Sequence, residues 1–190
     1  AMERDGVPAE RWTREPVLIC GHSQGGIVAA ATTSLPETLG GSRNWDYRYC
    51  WLRDSSFTLG ALIGAGLLEQ TRSWQQWVLR AVAGDPADAQ IMYGIDGTRR
   101  LPEYELPWLP GYEGASPVRI GNDAAGQVQG DVPGEVLGAA PVGRTAGIVA
   151  MERGWELQRW LAGRLQEAWK RPDNGIWESR GKRQHFVYSK

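Results

Sequence analysis

Apolar positions recur at helical spacing in several stretches of the chain and lose all period between them. Phe57, Ala61, Leu62, Ala65 and Leu68 follow a period of 3.6 residues and predict one helix. Asp54, Ser55 and Ser56 stand at its start as candidate N-caps, because their side-chain oxygens accept the orphan amides of a first turn. Trp74, Trp77, Val78, Ala81 and Val82 share one face of a second helix, which Gly84-Asp85-Pro86 stops. A third is expected over about residues 122–137, interrupted by Pro133. The clearest stripe is the fourth: Leu157, Trp160, Leu161, Leu165, Ala168 and Trp169, ended by Arg171-Pro172 and Gly175. Residues 17–31 form an apolar segment around a glycine turn, and residues 96–117 a long loop rich in proline, glycine and aromatics. Long loops inside a domain usually carry function. No strand alternation longer than a few residues occurs after residue 40, so the body of the chain reads as helical hairpins joined by substantial loops.

Composition narrows the class. With 190 residues, 42% hydrophobic and 23% charged, the chain is an ordinary globular mix of one-domain length. A net charge of -1 gives no basic surface for nucleic acid. The apolar runs at residues 27–31 and 59–68 are short or broken by glycine, far from the ~20 residues that cross a bilayer. Residues 1–14 are charged and lack the apolar region of a secretory signal. Two cysteines, Cys20 and Cys50, make no disulfide framework and have no metal-ligand spacing. The default compartment is a reducing cytoplasm.

Ten tryptophans change the picture. Trp45, Trp51, Trp108 and Trp177 lie outside the helical stripes. They are either core packing or flat faces for sugar rings, and composition leaves both open. Residues 43–54, RNWDYRYCWLRD, set four aromatics among Arg43, Asp46, Arg48, Arg53 and Asp54. That run is too polar for a core strand and too aromatic for an idle surface loop. Hydrolysis of a glycosidic bond needs two carboxyl groups flanking it and a set of cations and aromatics holding one ring rigidly. Gly175-Ile176-Trp177-Glu178 places a carboxyl next to an indole, an apolar neighbour that favours the protonated form.

The strings GGIVAAATTSLPE (25–37), GGSRNWDYRYCWLRDSSFTL (40–59), LRAVAGDPADAQIMYGIDGTRRLPEYEL (79–106), LPGYEGASPVRIGN (109–122) and PDNGIWESRG (172–181) resemble bacterial glycoside hydrolases of family 15. These are glucoamylase-like enzymes that include trehalases. The resemblance covers residues 25–190 and leaves residues 1–24 poorly matched. It implies an all-α fold, part of an (α/α)6 toroid of the six-hairpin type, with the site in its loops. It also implies inverting hydrolysis of an α-glucoside such as trehalose, maltose or a starch end. By position, Glu178 matches the general acid. Tyr47 and Trp51 match aromatics lining the innermost sugar site, and Arg53 and Asp54 match the pair that binds that sugar's hydroxyls. Trp177 is expected to pack beside the acid, Arg119 and Asn122 are further pocket candidates, and the resemblance implies neither a metal nor an organic cofactor.

Three departures accompany the resemblance. A toroid of twelve helices at ~11–12 residues each exceeds this length, so the chain reads as the N-terminal portion, without the family's catalytic base. It would need the missing C-terminal half or a self-associating partner to cover its inner faces. Residues 130–147 hold Pro133, Pro141 and glycines 134, 138 and 143, which predict a badly weakened helix, at ~3 kcal/mol for an interior proline and ~1 kcal/mol for a glycine. Finally, an apolar run ending in GHSQGG looks like the nucleophile elbow of a serine α/β-hydrolase, with Ser23 as nucleophile and His185 the only histidine after it. An esterase through Ser23, and a non-catalytic sugar-binding module keeping Trp51, Arg53 and Asp54, are the two alternative functions.

Overall fold

The computed structural model describes residues 19–20, 26–31, 33–82, 88–149 and 152–190. Among them are four α-helices: α1 (Leu52–Gly64), α2 (Leu68–Val82), α3 (Val132–Thr145) and α4 (Glu152–Ala168). Helix α1 packs against α3, α3 against α4, and α2 against both α1 and α4. Trp74, Trp77, Val78, Leu79 and Val82 of α2 meet Leu157 and Leu161 of α4 in one core that also takes in Leu59. The α2 stripe therefore faces inward as its periodicity predicts, and so does the α4 stripe as far as Ala168, whereas Trp169, just past the helix end, is 49% exposed. Gly84-Asp85-Pro86, the expected stop of α2, lies outside the described residues.

Helix α1 has the expected period but a different phase. Its buried positions are Leu52, Ser55, Ser56 and Leu59, while Phe57 is 54% exposed and Ala61 and Ala65 face solvent. The chain enters the helix before the candidate caps. Trp51 occupies the N-cap without a side-chain bond, and the Ser56 hydroxyl instead donates to the Leu52 carbonyl at 2.8 Å. A hydroxyl satisfied within its own helix buries as easily as a small apolar group.

The third helix also corrects its expected bounds. Residues 123–126 form a single 3-10 turn capped by the Asn122 side chain, and α3 starts only at Val132. Pro133 sits in its first turn, where the missing N–H is an orphan anyway. Pro141 lies inside the helix, which continues through it to Thr145. Packing on α1 and α4 overrides the poor local propensity.

The helical expectation is incomplete in one respect: among the described residues, four two-stranded antiparallel ribbons lie before and between the helices. They pair β1 (Ile19–Cys20) with β2 (Ile27–Val28), β3 (Thr33–Pro36) with β4 (Asn44–Asp46), β5 (Cys50–Trp51) with β6 (Met92–Tyr93), and β7 (Tyr104–Leu106) with β8 (Val118–Ile120). Each strand is two to four residues long, too short for alternation to show in the sequence. Strand β8 ends at Gly121, whose φ is +78° and where a Cβ would fall 1.8 Å from the Pro102 carbonyl oxygen, so only glycine fits. That close approach lets the Gly121 amide donate to the buried Asp46 carboxylate at 3.1 Å. No described helix is long and apolar enough to cross a membrane.

Candidate active site

Strand β5 runs directly into α1, so Trp51, Arg53 and Asp54 project from the junction of a ribbon and a helix N-terminus. The opposite wall is a turn at residues 175–178, just past the end of α4. Gly175 opens the turn at φ +66°, its Cα close enough to the Phe186 ring that an added Cβ would fall 2.9 Å from it. Asp173 braces the same turn, accepting from the Gly130 and Gly175 amides at 3.0 Å each. Glu178 closes it in the left-handed region, φ 52°, uncommon for a residue with a side chain. Gln127 holds that backbone in place, its amide donating to the Glu178 and Ser179 carbonyls at 3.1 and 3.3 Å.

The geometry brings Glu178 onto Trp51: the Trp51 indole N–H donates to the Glu178 carboxylate. Burial pushes the Glu178 carboxyl above the usual glutamate range, and nearby Asp54 adds to the rise. The Trp51 bond and the positive charges of Arg53 and Arg180 pull the other way without cancelling it. Tyr47 lies beside this pair, its ring centroid 5.7 Å from that of Trp51 and tilted by 44°. Burial, with the Glu178 charge second, pushes its hydroxyl up to about 12, so it remains a neutral hydrogen-bonding group at any working pH.

Arg53 is held from below. Its Nη1 donates to Gln129 Oε1 at 2.7 Å and to Asp131 Oδ2 at 3.2 Å, and its Nη2 lies 3.4 Å from Asp54 Oδ2. Burial raises Asp54 above the usual carboxylate range, Arg53 opposing and Asp131 reinforcing the rise. The Asp54 Oδ2 atom is buried against the Arg53 guanidinium without a well-aligned hydrogen bond, while the side chain as a whole is 35% exposed.

The remaining candidates fall elsewhere. Trp177 is 86% exposed, so it does not pack beside the acid; the indole on Glu178 is that of Trp51. Asn122 is buried, donating to the Asp46 carbonyl and capping the 3-10 turn. Arg119 spends donors on the Ser42 and Asn44 carbonyls and on Glu105, and its guanidinium lies 4.6 Å over the Trp45 ring. Ser23 lies outside the described residues. The stretch after it resumes as β2, pairing back on β1, whereas a nucleophile elbow leads into a helix. His185 is exposed. Among the described residues no group of three or more His, Cys, Asp or Glu side chains is arranged to hold a metal ion. Periodicity missed Gln127, Gln129 and Asp131, although the alternation in QVQGD carried the signal: Gln129 and Asp131 are buried and Gln127 half-buried, with Val128 exposed between the two glutamines.

Helical hairpins whose loops gather a half-buried carboxyl, an arginine–aspartate pair and two neighbouring aromatics thus make up the candidate site. The chain belongs to the glycosyl hydrolases family 15, whose family model matches residues 13–190. It is 39% identical over 170 residues to trehalase 1 of Sulfolobus acidocaldarius, covering 87% of this chain and 30% of that protein. It is 42% identical over 172 residues to the trehalase of Mycolicibacterium smegmatis and 41% over 169 to that of Mycobacterium tuberculosis, in each case covering 87% of this chain and 25% of the relative. The chain thus spans about a quarter to a third of the length of these curated relatives. No solved structure matches it at a significant level.

Proposed function

We propose that this chain supplies the acid side of an inverting glycoside hydrolase site whose substrate is an α-glucoside, trehalose first. The observation that carries the reading is Glu178: a carboxyl kept toward its protonated form by burial, fixed by the Trp51 indole and facing the Arg53–Asp54 pair. In the mechanism, the Glu178 proton passes to the glycosidic oxygen as the bond to the anomeric carbon breaks, so the leaving sugar departs neutral. Asp54, whose side chain is 35% exposed, accepts from a hydroxyl of the innermost glucose, and Arg53 donates to a neighbouring hydroxyl. The half-buried Tyr47 ring forms the apolar wall against which that glucose stacks, while Trp51, only 3% exposed, packs in the core behind it and fixes Glu178 through its indole N–H. Inversion requires a second carboxylate activating water on the opposite face of the ring. We assign it to a part of the enzyme outside these 190 residues, and read the four helices as part of an (α/α)6 toroid. The names of the relatives, trehalases all, support the substrate. Arg119 and Asn122 enter as supports of the loops, since their observed bonds go to protein.

Glucose release from trehalose, maltose and soluble starch tests the reading in the complete gene product that contains this chain. Release from trehalose that collapses in Glu178→Gln supports it. Activity surviving that substitution overturns the assignment of Glu178. Sugar binding with no release in a folded complete protein would leave the non-catalytic module.

A further inference from the structure

Two residues beyond Glu178 stands a group that neither the family resemblance nor the reading above uses. Arg180 donates to Glu103 through Nη1 at 3.1 Å and Nη2 at 2.6 Å, a two-pronged contact. Its guanidinium also lies 4.3 Å over the Trp45 ring. Arg119 reaches the same two partners, 3.6 Å from Glu103 and 4.6 Å over Trp45. Glu103, whose side chain is only 10% exposed, is therefore a nearly buried anion between two cations that share one indole. Trp45 is fixed in turn by its own N–H to Glu37 at 3.3 Å. Glu103 is tied to the 3-10 turn through its amide, which donates to Asp123 at 3.1 Å. The network therefore joins strand β4, the entry to β7, strand β8 and the Glu178 turn.

We propose that Arg180 and Glu103, seated on Trp45, form a clamp that holds the acid's turn in register, and that both are positioning residues for Glu178. The argument is geometric. The Glu178 backbone sits in a conformation that costs free energy on its own, of order 1–3 kcal/mol for a residue with a side chain. A turn of that kind keeps its shape only where its flanks are over-determined. On the N-terminal flank Asp173 supplies the hold, and Gln127 ties the Glu178 and Ser179 carbonyls themselves. On the C-terminal flank, Arg180 supplies it through a planar fork matched to a carboxylate, while its stacked face rests on an aromatic ring. Lysine offers a point charge in place of that fork, so the clamp discriminates between the two cations. Releasing the flank would let the carboxyl slide on the Trp51 indole, and a displacement of about 1 Å at a reacting group costs on the order of a hundredfold in rate.

The proposal rests on Glu178 being the acid, and the experiment separates the two. Trehalose hydrolysis is measured in the complete gene product for Arg180→Ala, Arg180→Lys, Glu103→Gln, the Arg180→Ala/Glu103→Gln double variant and Glu178→Gln. Thermal melts establish that each is folded. The expected result is a fall in kcat of roughly ten- to a hundredfold for Arg180→Ala, with KM within about threefold. Arg180→Lys should recover only part of it, and the double variant should lose no more than the worse single one. Wild-type kcat in Arg180→Ala and Glu103→Gln, alongside a silent Glu178→Gln, overturns the clamp and leaves the acid standing. A Glu178→Gln variant as active as wild type overturns the acid, and the clamp with it. If Arg180→Ala fails to fold, Arg180→Lys decides: kcat equal to wild type shows that charge alone suffices and refutes the fork.

Discussion

Asp131→Ala tests the support beneath Arg53. The Asp131 side chain is 2% exposed and the Arg53 side chain 11%, with 3.2 Å between Nη1 and Oδ2. Removing one partner from a buried ion pair costs about 3–5 kcal/mol, because a buried charge is left behind. Two features lower the figure here. Arg53 keeps Gln129 at 2.7 Å and Asp54 at 3.4 Å. Asp131 Oδ1 is buried without a hydrogen-bond partner, and deleting such an atom returns roughly 1 kcal/mol of desolvation cost. The cap contributes nothing to the sum through its side chain, since Asp131 stands at the N-cap of α3 without a capping bond. The expected loss is about 2 kcal/mol, combining these principles. Urea unfolding followed by circular dichroism reads it as a lower midpoint at unchanged slope. A double-mutant cycle with Arg53→Ala should show the two losses to be coupled rather than additive. A loss below about 0.5 kcal/mol, or additivity within the usual ~0.3–0.5 kcal/mol, would refute the reasoning.

Helix α3 should be easy to improve. Pro141→Ala restores an interior N–H and is expected to stabilise by up to about 3 kcal/mol, and Gly138→Ala, where a Cβ meets nothing within 4 Å, by about 1 kcal/mol. Both show as a higher melting temperature. Glu178→Gln should also raise the melting temperature at pH 7. A carboxyl raised by burial gives its full stability below the unfolded glutamate value of ~4.3 and loses it as pH climbs through the folded value, whereas an amide loses nothing. The gain should therefore vanish in melts below about pH 4. Trp51→Phe removes a donor that favours the charged form of Glu178, so the basic limb of the kcat–pH profile for trehalose should move to higher pH. Movement to lower pH would contradict the assignment of that hydrogen bond.

Much of the helical frame was legible because α2 and α4 bury large aromatic and aliphatic side chains, and those leave a clear 3.6-residue trace. Helix α1 hid its phase behind chemistry that period-counting ignores. Ser55 and Ser56 look polar in sequence, yet the Ser56 hydroxyl bonds the Leu52 carbonyl and Ser55 meets the Cys50 sulfur at 3.2 Å, so both count as inward positions. Helix α3 was legible as trouble rather than as structure. Its prolines and glycines are real local costs, offset by neighbours that no propensity scale contains. The ribbons left no trace because two to four residues are too few for a period of two.

The site divides along the same line. The run at 43–54 announced itself by density of aromatic and charged residues, and Glu178 by the glycine turn before it. What adjacency in sequence predicted wrongly was the indole beside the acid. Trp177 and Glu178 are consecutive in a tight turn, where neighbouring side chains diverge, and the left-handed backbone at Glu178 sends its carboxyl across to Trp51 instead. A long-range contact of 127 positions carries no local signature. The polar supports ahead of α3 did carry one, in the spacing of Gln127 under the Glu178 turn and of Gln129 and Asp131 under Arg53. The consequence is that the acid's environment is assembled from three distant stretches, 45–54, 103–131 and 173–180, each contributing a different restraint. The burial that keeps Glu178 toward its neutral form is therefore a property of the assembled fold, absent from any of the three alone.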